Sequence, residues 1–151
     1  VYAYAAGNPV NFTDRWGLSY LVYNDKSHIV KLFDKCDELV GQWKASNRVG
    51  EYVNGKWQWK ESPWKKGKYK WTHWKDHDGD ANSAYGTQGV HVFDHGHSGM
   101  RGLGIHAGRK NKRGWEHATN GCIRTTEQAM KTINKIHHQD KDYLQYLQYI
   151  K

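Results

Sequence analysis

Two cysteines in 151 residues are too few for a disulfide-stapled scaffold. Their surroundings also differ, so no bridge between them is expected. Cys36 sits in the strand-like run FDKCDELV and reads as a small half-buried filler, the usual habit of a free cysteine. Cys122 sits in ATNGCIRTTEQ, between a polar turn and a helix start. No apolar run approaches the roughly 18 residues of a membrane span, and the chain does not open on a charged-then-apolar signal segment. Work outside the cytoplasm is therefore expected to depend on another carrier. Acidic side chains are also in short supply: 15 Asp and Glu against 23 Lys and Arg leave a net charge of +8. Such a field attracts polyanions, with nucleic acid, anionic lipid and an acidic wall polymer all open. Internal repeats and low-complexity tracts are absent. With 37% hydrophobic residues the chain suffices for one core of ordinary size, and two are not expected.

Ser19–Lys44 alternates apolar and polar residues around an Asn-Asp-Lys-Ser turn, which predicts a β-hairpin. Gly41–Lys75 holds six of the eight tryptophans among many lysines. Two uses fit that stretch. One is an aromatic stacking platform beside a positive groove, suited to single-stranded nucleic acid or sugar. The other, which strand propensity favours, makes Trp57, Trp59, Tyr69 and Trp71 the inward face of strands whose lysines meet solvent. Asp76, Asp78 and Asp80 have the spacing of a calcium loop, but Ala81 stands where that loop needs Gly and Thr87 where it needs Glu. A polar turn is expected there. Val90, Val92 and Ile105 read as strand. Thr125 and Gln128 form a capping-box pattern ahead of Ala129, Ile133 and Ile136, which predicts a helix. The tail DYLQYLQYIK fits a helix or a last strand.

A thiol becomes a nucleophile when an imidazole or a helix N-terminus favours its thiolate. Cys122 is a candidate for both, with a helix start shortly downstream and His106 sixteen residues upstream at the end of a strand-like GLGIH run. Backbone N–H groups at Gly121 and Cys122 are candidates to face an oxyanion, the feature acyl transfer most needs.

GIHAGRKNKRGWEHATNGCIR resembles the signature of YkuD-type L,D-transpeptidases. There, a Gly-Ile-His is followed after about a dozen residues by Ser/Thr-His-Gly-Cys-Ile-Arg or Asn. Ile105 and His106 match the first part; Thr119, Gly121, Cys122, Ile123 and Arg124 match the second. Pro63, Gly67 and Tyr69 of SPWKKGKY match a Thr-Pro-x-Gly-x-Tyr segment, and Ser83–Gly89 before HVF stands where the family has its central strand. The likeness runs over most of Ser19–Ile136. It implies a mainly β fold with few helices (α+β), a β-sandwich or barrel with a helix after the cysteine. It also implies a cofactor-free and metal-free cysteine enzyme acting on peptidoglycan stem peptides, with Cys122 as nucleophile and His106 as general base. Gly121, Asn120, Thr119, Arg124 and Ala107 would serve the oxyanion and substrate, with Arg124 suited to a carboxylate. Asn120 stands where the family usually has a second His, and an amide donates a hydrogen bond but exchanges no proton near neutral pH. His117, three residues earlier, is either an accessory group or a loop residue.

Residues 1–18, VYAYAAGNPVNFTDRWGL, resemble the end of the Rhs-repeat core, the shell of large polymorphic toxins, which is cut after a Gly-Leu. Here Asp14 is followed by Arg15 and Trp16 where that family usually has Asp-Pro. This likeness implies that 1–18 is a remnant of the core and 19–151 the toxin domain of a longer polypeptide. The two resemblances together imply an antibacterial effector secreted with its Rhs shell, by type VI secretion, and acting in the target periplasm. Its partners would be stem peptides and a cognate immunity protein, with no nucleic acid and no membrane span. Three rivals stay open at this level: an Rhs-delivered nuclease, a zinc hydrolase using His91, His95 and His97, and a glycan-binding module without turnover.

Overall fold

The computed structural model describes residues 18–95 and 102–151. Ten strands and one α-helix follow in order: β1 (Leu18–Asn24), β2 (Ile29–Phe33), β3 (Leu39–Ser46), β4 (Val49–Val53), β5 (Lys56–Lys60), β6 (Gly67–Lys75), β7 (Val90–Phe93), β8 (Gly104–His106), β9 (Ile123–Thr125), α1 (Glu127–Asn134) and β10 (Tyr143–Ile150). Eight strands close a barrel in the order β1-β10-β6-β7-β8-β9-β3-β2, and β4 with β5 forms a separate two-stranded sheet. The fold is thus the β-rich barrel with a helix after the cysteine that the sequence implies. All but Leu18 of the Rhs-like segment lies outside the described residues.

The β1–β2 hairpin forms where the alternation predicts it. Leu21 and Tyr23 point inward from β1, and Val30 and Leu32 from β2, each fully buried. Each such side chain contributes about 1.5–3 kcal/mol by leaving water. The ambiguous tail is β10, and it pairs in parallel with β1 across the whole length of the chain. That closure seats Leu144, Leu147 and Tyr149 in the core. Trp64 fills the barrel beneath them, fully buried, with its ring stacked on Tyr149 at 5.7 Å and edge-on to Tyr69 at 4.8 Å.

Several expectations are corrected. Cys36 lies not in a strand but in an exposed turn, where Asp34 accepts hydrogen bonds from the N–H groups of Cys36 and Glu38. The helix cap is one residue later than predicted: Thr125 is the last residue of β9, and Thr126 accepts from the Ala129 N–H. Ser83–Gly89 is irregular, and the strand starts at Val90. The polar turn expected after Asp76 and Asp78 does form, with Asp80 accepting from the N–H groups of Asn82 and Ser83.

The largest difference concerns the tryptophan-rich stretch. Tyr69 is buried and Trp71 half-buried, as the inward reading requires. Trp57 and Trp59 are not: every residue of β5 is exposed. Asn54-Gly55, both at positive φ, form a tight two-residue turn that folds β5 back on β4 alone. Among the described residues no second sheet covers that hairpin, so the period-2 pattern of β5 has no core to face.

Candidate active site

The site is built by the parallel pairing of β8 with β9. Ile105 pairs with Ile123, and both are fully buried in the core. Side chains alternate along a strand, so Gly104, His106, Cys122 and Arg124 share the opposite face. That register joins two sequence segments that are far apart. His106 and Cys122 both line a cleft of about 740 Å³, together with Arg124, His117, Thr119, Asn120, Gly121 and Tyr85.

The thiol is held by backbone. The Gly104 N–H donates to Cys122 Sγ at 3.4 Å, and the thiol points at the Gly102 carbonyl at 3.8 Å. Burial pushes the thiol above its ordinary value, opposed by the Gly104 N–H and the nearby Arg124 charge. The helix starts later than expected: β9 lies between Cys122 and α1, which begins at Glu127.

His106 is 2% exposed, and its Nδ1 lies 2.7 Å from the Ala107 carbonyl. A carbonyl only accepts, so Nδ1 carries the proton and Nε2 the lone pair. Burial lowers the imidazole to about 4, opposed by the Ala107 bond and reinforced by the Arg124 and His77 charges. At neutral pH the pair rests as neutral thiol and neutral imidazole. Tyr85 lies edge-on to His106 at 4.7 Å, and His77 stacks on Tyr85 at 4.1 Å.

Arg124 is not solvent-facing, and most of its donors are taken up within the protein. It is 3% exposed. Nε donates to Ala107 O, Nη1 to the carbonyls of His117 (2.5 Å) and Ala118 (2.9 Å), and Nη2 to Ala84 O (3.0 Å). Four of the five N–H groups a guanidinium offers are thereby committed. The side chain ties three loops together beneath the cleft. Burial lowers it to about 10, so it keeps its charge at neutral pH.

Other expected substrate groups also serve the wall. Thr119 Oγ1 accepts from the Gly121 N–H at 3.0 Å and donates to the Cys122 carbonyl at 2.6 Å. The Gly121 N–H is thus occupied, and the oxyanion contact expected of it is not open in this arrangement. Ala107 contributes its carbonyl to both His106 and Arg124. Asn120 is exposed on the rim. His117 also lines the cleft; burial first, then the charges of Arg124, Arg109, Lys112 and Arg113, lower its basicity.

Sequence reasoning missed the support under Gly121-Cys122. Asn47 Nδ2 donates to the carbonyls of Gly121 (2.8 Å) and Cys122 (3.1 Å), and Trp64 Nε1 donates to Gly121 O at 2.8 Å. Asn47 Oδ1 accepts from Tyr149 Oη at 2.9 Å and from Ser62 Oγ. No motif marks Asn47, whereas Trp64 sits within the SPWKKGKY segment already singled out. Gly121 has φ +149°, and a Cβ there would lie 2.8 Å from Leu103 Cδ2 and 3.2 Å from Pro63 Cγ. Only glycine lets the turn approach so closely.

Two of the three histidines weighed as zinc ligands lie in the described residues, and both make other contacts. His91 is fully buried, its Nδ1 accepting from Trp71 Nε1 and its Nε2 donating to Asn134 Oδ1. Burial, partly offset by the Asn134 bond, lowers it to about 3. His95 Nδ1 bonds the Phe93 carbonyl at 3.1 Å, and His97 lies outside the described residues.

Comparison with known proteins follows the same lines. Among solved structures the chain is similar to an L,D-transpeptidase from Xylanimonas cellulosilytica, with TM-score 0.55 and 13% identity over 87% of this chain and 60% of that one. It is also similar to Bd1075 of Bdellovibrio bacteriovorus, with TM-score 0.58 and 13% identity over 86% of this chain and 46% of that one. L,D-transpeptidase 1 of Mycobacterium tuberculosis follows with TM-score 0.50 and 11% identity, over 89% of this chain and 62% of that one. The chain thus spans less than two-thirds of each of these structures. At these identities the likeness is one of fold. Comparison with curated protein sequences gives no match. The profile of the L,D-transpeptidase catalytic domain, YkuD, matches residues 20–139, a span that includes the β8–β9 pair and the cleft above it, and the chain belongs to that family.

Proposed function

We propose that the chain is a cysteine acyl-transfer enzyme acting on peptidoglycan tetrapeptide stems. The observation that carries this reading is the juxtaposition of a buried neutral imidazole, its Nε2 lone pair free of the Ala107 bond, with Cys122 on one face of the β8–β9 pair. In the first step the Cys122 Sγ–H proton passes to His106 Nε2 while sulfur attacks the carbonyl at the L-centre of the third stem residue. An imidazolium formed in so dry a site is a strong acid. It returns the proton to the leaving amine, expelling the terminal D-alanine and leaving a thioester. An amine of a second stem then gives a 3-3 cross-link, a free D-amino acid gives exchange, and water gives trimming to the tripeptide.

Arg124 supports the chemistry without touching substrate: its fixed charge favours the thiolate as it forms. The Asn120 amide, exposed on the rim of the cleft, would donate a hydrogen bond to a substrate oxygen. The Rhs-like 1–18 segment favours delivery as an antibacterial effector to the periplasm of a target cell, with an immunity protein in the producer.

Cys122→Ala is expected to abolish both D-alanine release from purified muropeptides, read by mass spectrometry, and toxicity in the periplasm. Undiminished toxicity of that variant would refute the proposal.

A further inference from the structure

The β4–β5 hairpin stands outside the barrel and is attached directly above the cleft. Val49 forms a parallel bridge with Thr119, the Gly50 N–H donates to Thr119 O at 3.2 Å, and the Thr119 N–H donates to Arg48 O at 2.9 Å. The register pairs Gly50 with Trp59 and Tyr52 with Trp57, which places all four on one face of the hairpin. Three aromatic rings therefore lie in a row. Tyr52 is 74% exposed, Trp59 60% and Trp57 37%, a concentration of apolar surface that a barrel buries elsewhere. The row is organised: Trp57 lies edge-on to Tyr52 at 5.1 Å and to Trp59 at 5.4 Å, with an angle of 86° between the two indoles. Gly50 makes room for it, since a Cβ there would fall 2.7 Å or less from two atoms of the Trp57 indole. Arg48 lies over the Trp59 ring at 5.8 Å.

The row is continuous with the reaction cleft. Gly50, Tyr52 and Trp57 line the same cleft as Cys122 and His106, and Trp59 extends the row beyond it. We propose that this face is a carbohydrate subsite that takes N-acetylated pyranoses of the glycan strand from which the stem peptide hangs. The inference rests on the stem-peptide reading of the cleft. A peptide held at Cys122 brings its glycan attachment within reach of the surrounding rim, and the aromatic row is the apolar part of that rim. Perpendicular indoles make a corner rather than the flat ladder that stacked bases prefer. One ring receives the C–H face of a pyranose and the other the methyl of its N-acetyl group, while hydroxyls stay in water. Arg48, over the Trp59 ring, suits the carboxylates of neighbouring stems.

The test titrates the whole chain with peptide-free glycan strands and with an N-acetylglucosamine tetramer, read by tryptophan fluorescence. Single-stranded oligonucleotide serves as control. The wild-type chain and Cys122→Ala are expected to bind the glycan alike, and Trp59→Ala to weaken binding about tenfold or more, as loss of an aromatic anchor does. If Trp59→Ala does not fold, Tyr52→Ala carries the same expectation. Four results would each overturn the subsite: no glycan binding by the wild-type chain; equal binding by the Trp59 and Tyr52 variants; preference for the oligonucleotide; or a dimer that Trp59→Ala dissolves. The probes carry no stem, so failure of D-alanine release refutes the acyl-transfer reading and leaves this titration standing. Intact D-alanine release without glycan binding refutes the subsite alone.

Discussion

Replacing Arg124 separates what holds the cleft from what tunes the thiol. In Arg124→Met the carbonyls of Ala84, His117 and Ala118 lose their donor, while Ala107 O keeps His106 Nδ1. Three orphaned acceptors at about 1–2 kcal/mol each give a loss of about 3–6 kcal/mol, since a buried polar group left unsatisfied bears its desolvation cost. At roughly 3–4 °C per kcal/mol, a domain of this size should melt about 10–25 °C lower and remain folded at room temperature. The thiol should move further up, because the variant keeps the burial and removes the charge that opposes it. Arg124→Lys keeps a positive charge but not the planar fork, so it should lose stability while its thiol stays closer to that of the parent. Cys36 is exposed, so a Cys36→Ser background leaves Cys122 as the thiol under observation. Thermal melting by circular dichroism gives the first quantity, and the pH dependence of alkylation gives the second. An Arg124→Met variant that melts within about 1 kcal/mol of the parent would refute the clamp, on the scale of ordinary surface changes. An unmoved titration would refute the role of its charge.

Two further outcomes follow from the same geometry. His91, His106 and His137 are buried and held neutral, at about 3, 4 and 4, by burial above all. The unfolded chain takes up their protons near pH 6.5 and the folded one does not. Their contribution is therefore present above about pH 6.5 and lost as pH falls toward 3–4, by about 1.4 kcal/mol per pH unit per imidazole. The melting temperature should drop progressively below pH 6.5, and a flat curve down to pH 4 would contradict the neutral burial. Asn47→Ala takes away the Asn47 acceptor of the fully buried Tyr149 and removes two of the four hydrogen bonds on the Gly121 and Cys122 carbonyls. It should cost about 2–3 kcal/mol in a denaturant titration and lower the alkylation rate or turnover at Cys122. Full activity in a destabilised variant would show that Asn47 supports the fold alone.

Local pattern was legible where neighbours in sequence are neighbours in space. The β1–β2 hairpin, the Val90 strand, the polar turn at Asp80 and the helix with Ile133 inward all follow from alternation, turn residues and helical spacing. The Thr-Asn-Gly-Cys-Ile-Arg and Gly-Ile-His runs carry the family resemblance without reference to the fold. The capping-box pattern points one residue too early because Thr125 has a stronger demand on it: it ends β9 and donates to Lys44 O on the neighbouring strand β3. Trp57 and Trp59 were read inward because alternation records a two-faced strand but not which face is covered, nor whether any is.

The sequence by itself determined the residue chemistry: one thiol and one imidazole in recognisable runs, a glycine where a side chain would clash, and alternation enough to line a barrel. Tertiary structure decided their use. A parallel β8–β9 pair and a parallel β1–β10 closure join segments with no local signal for each other, because each pairing is stabilised only once the intervening chain has folded back. Those pairings put His106 beside the Cys122 strand, turned Arg124 from a presumptive ligand anchor into the clamp under the cleft, and left three aromatic rings of β4 and β5 facing outward at its rim.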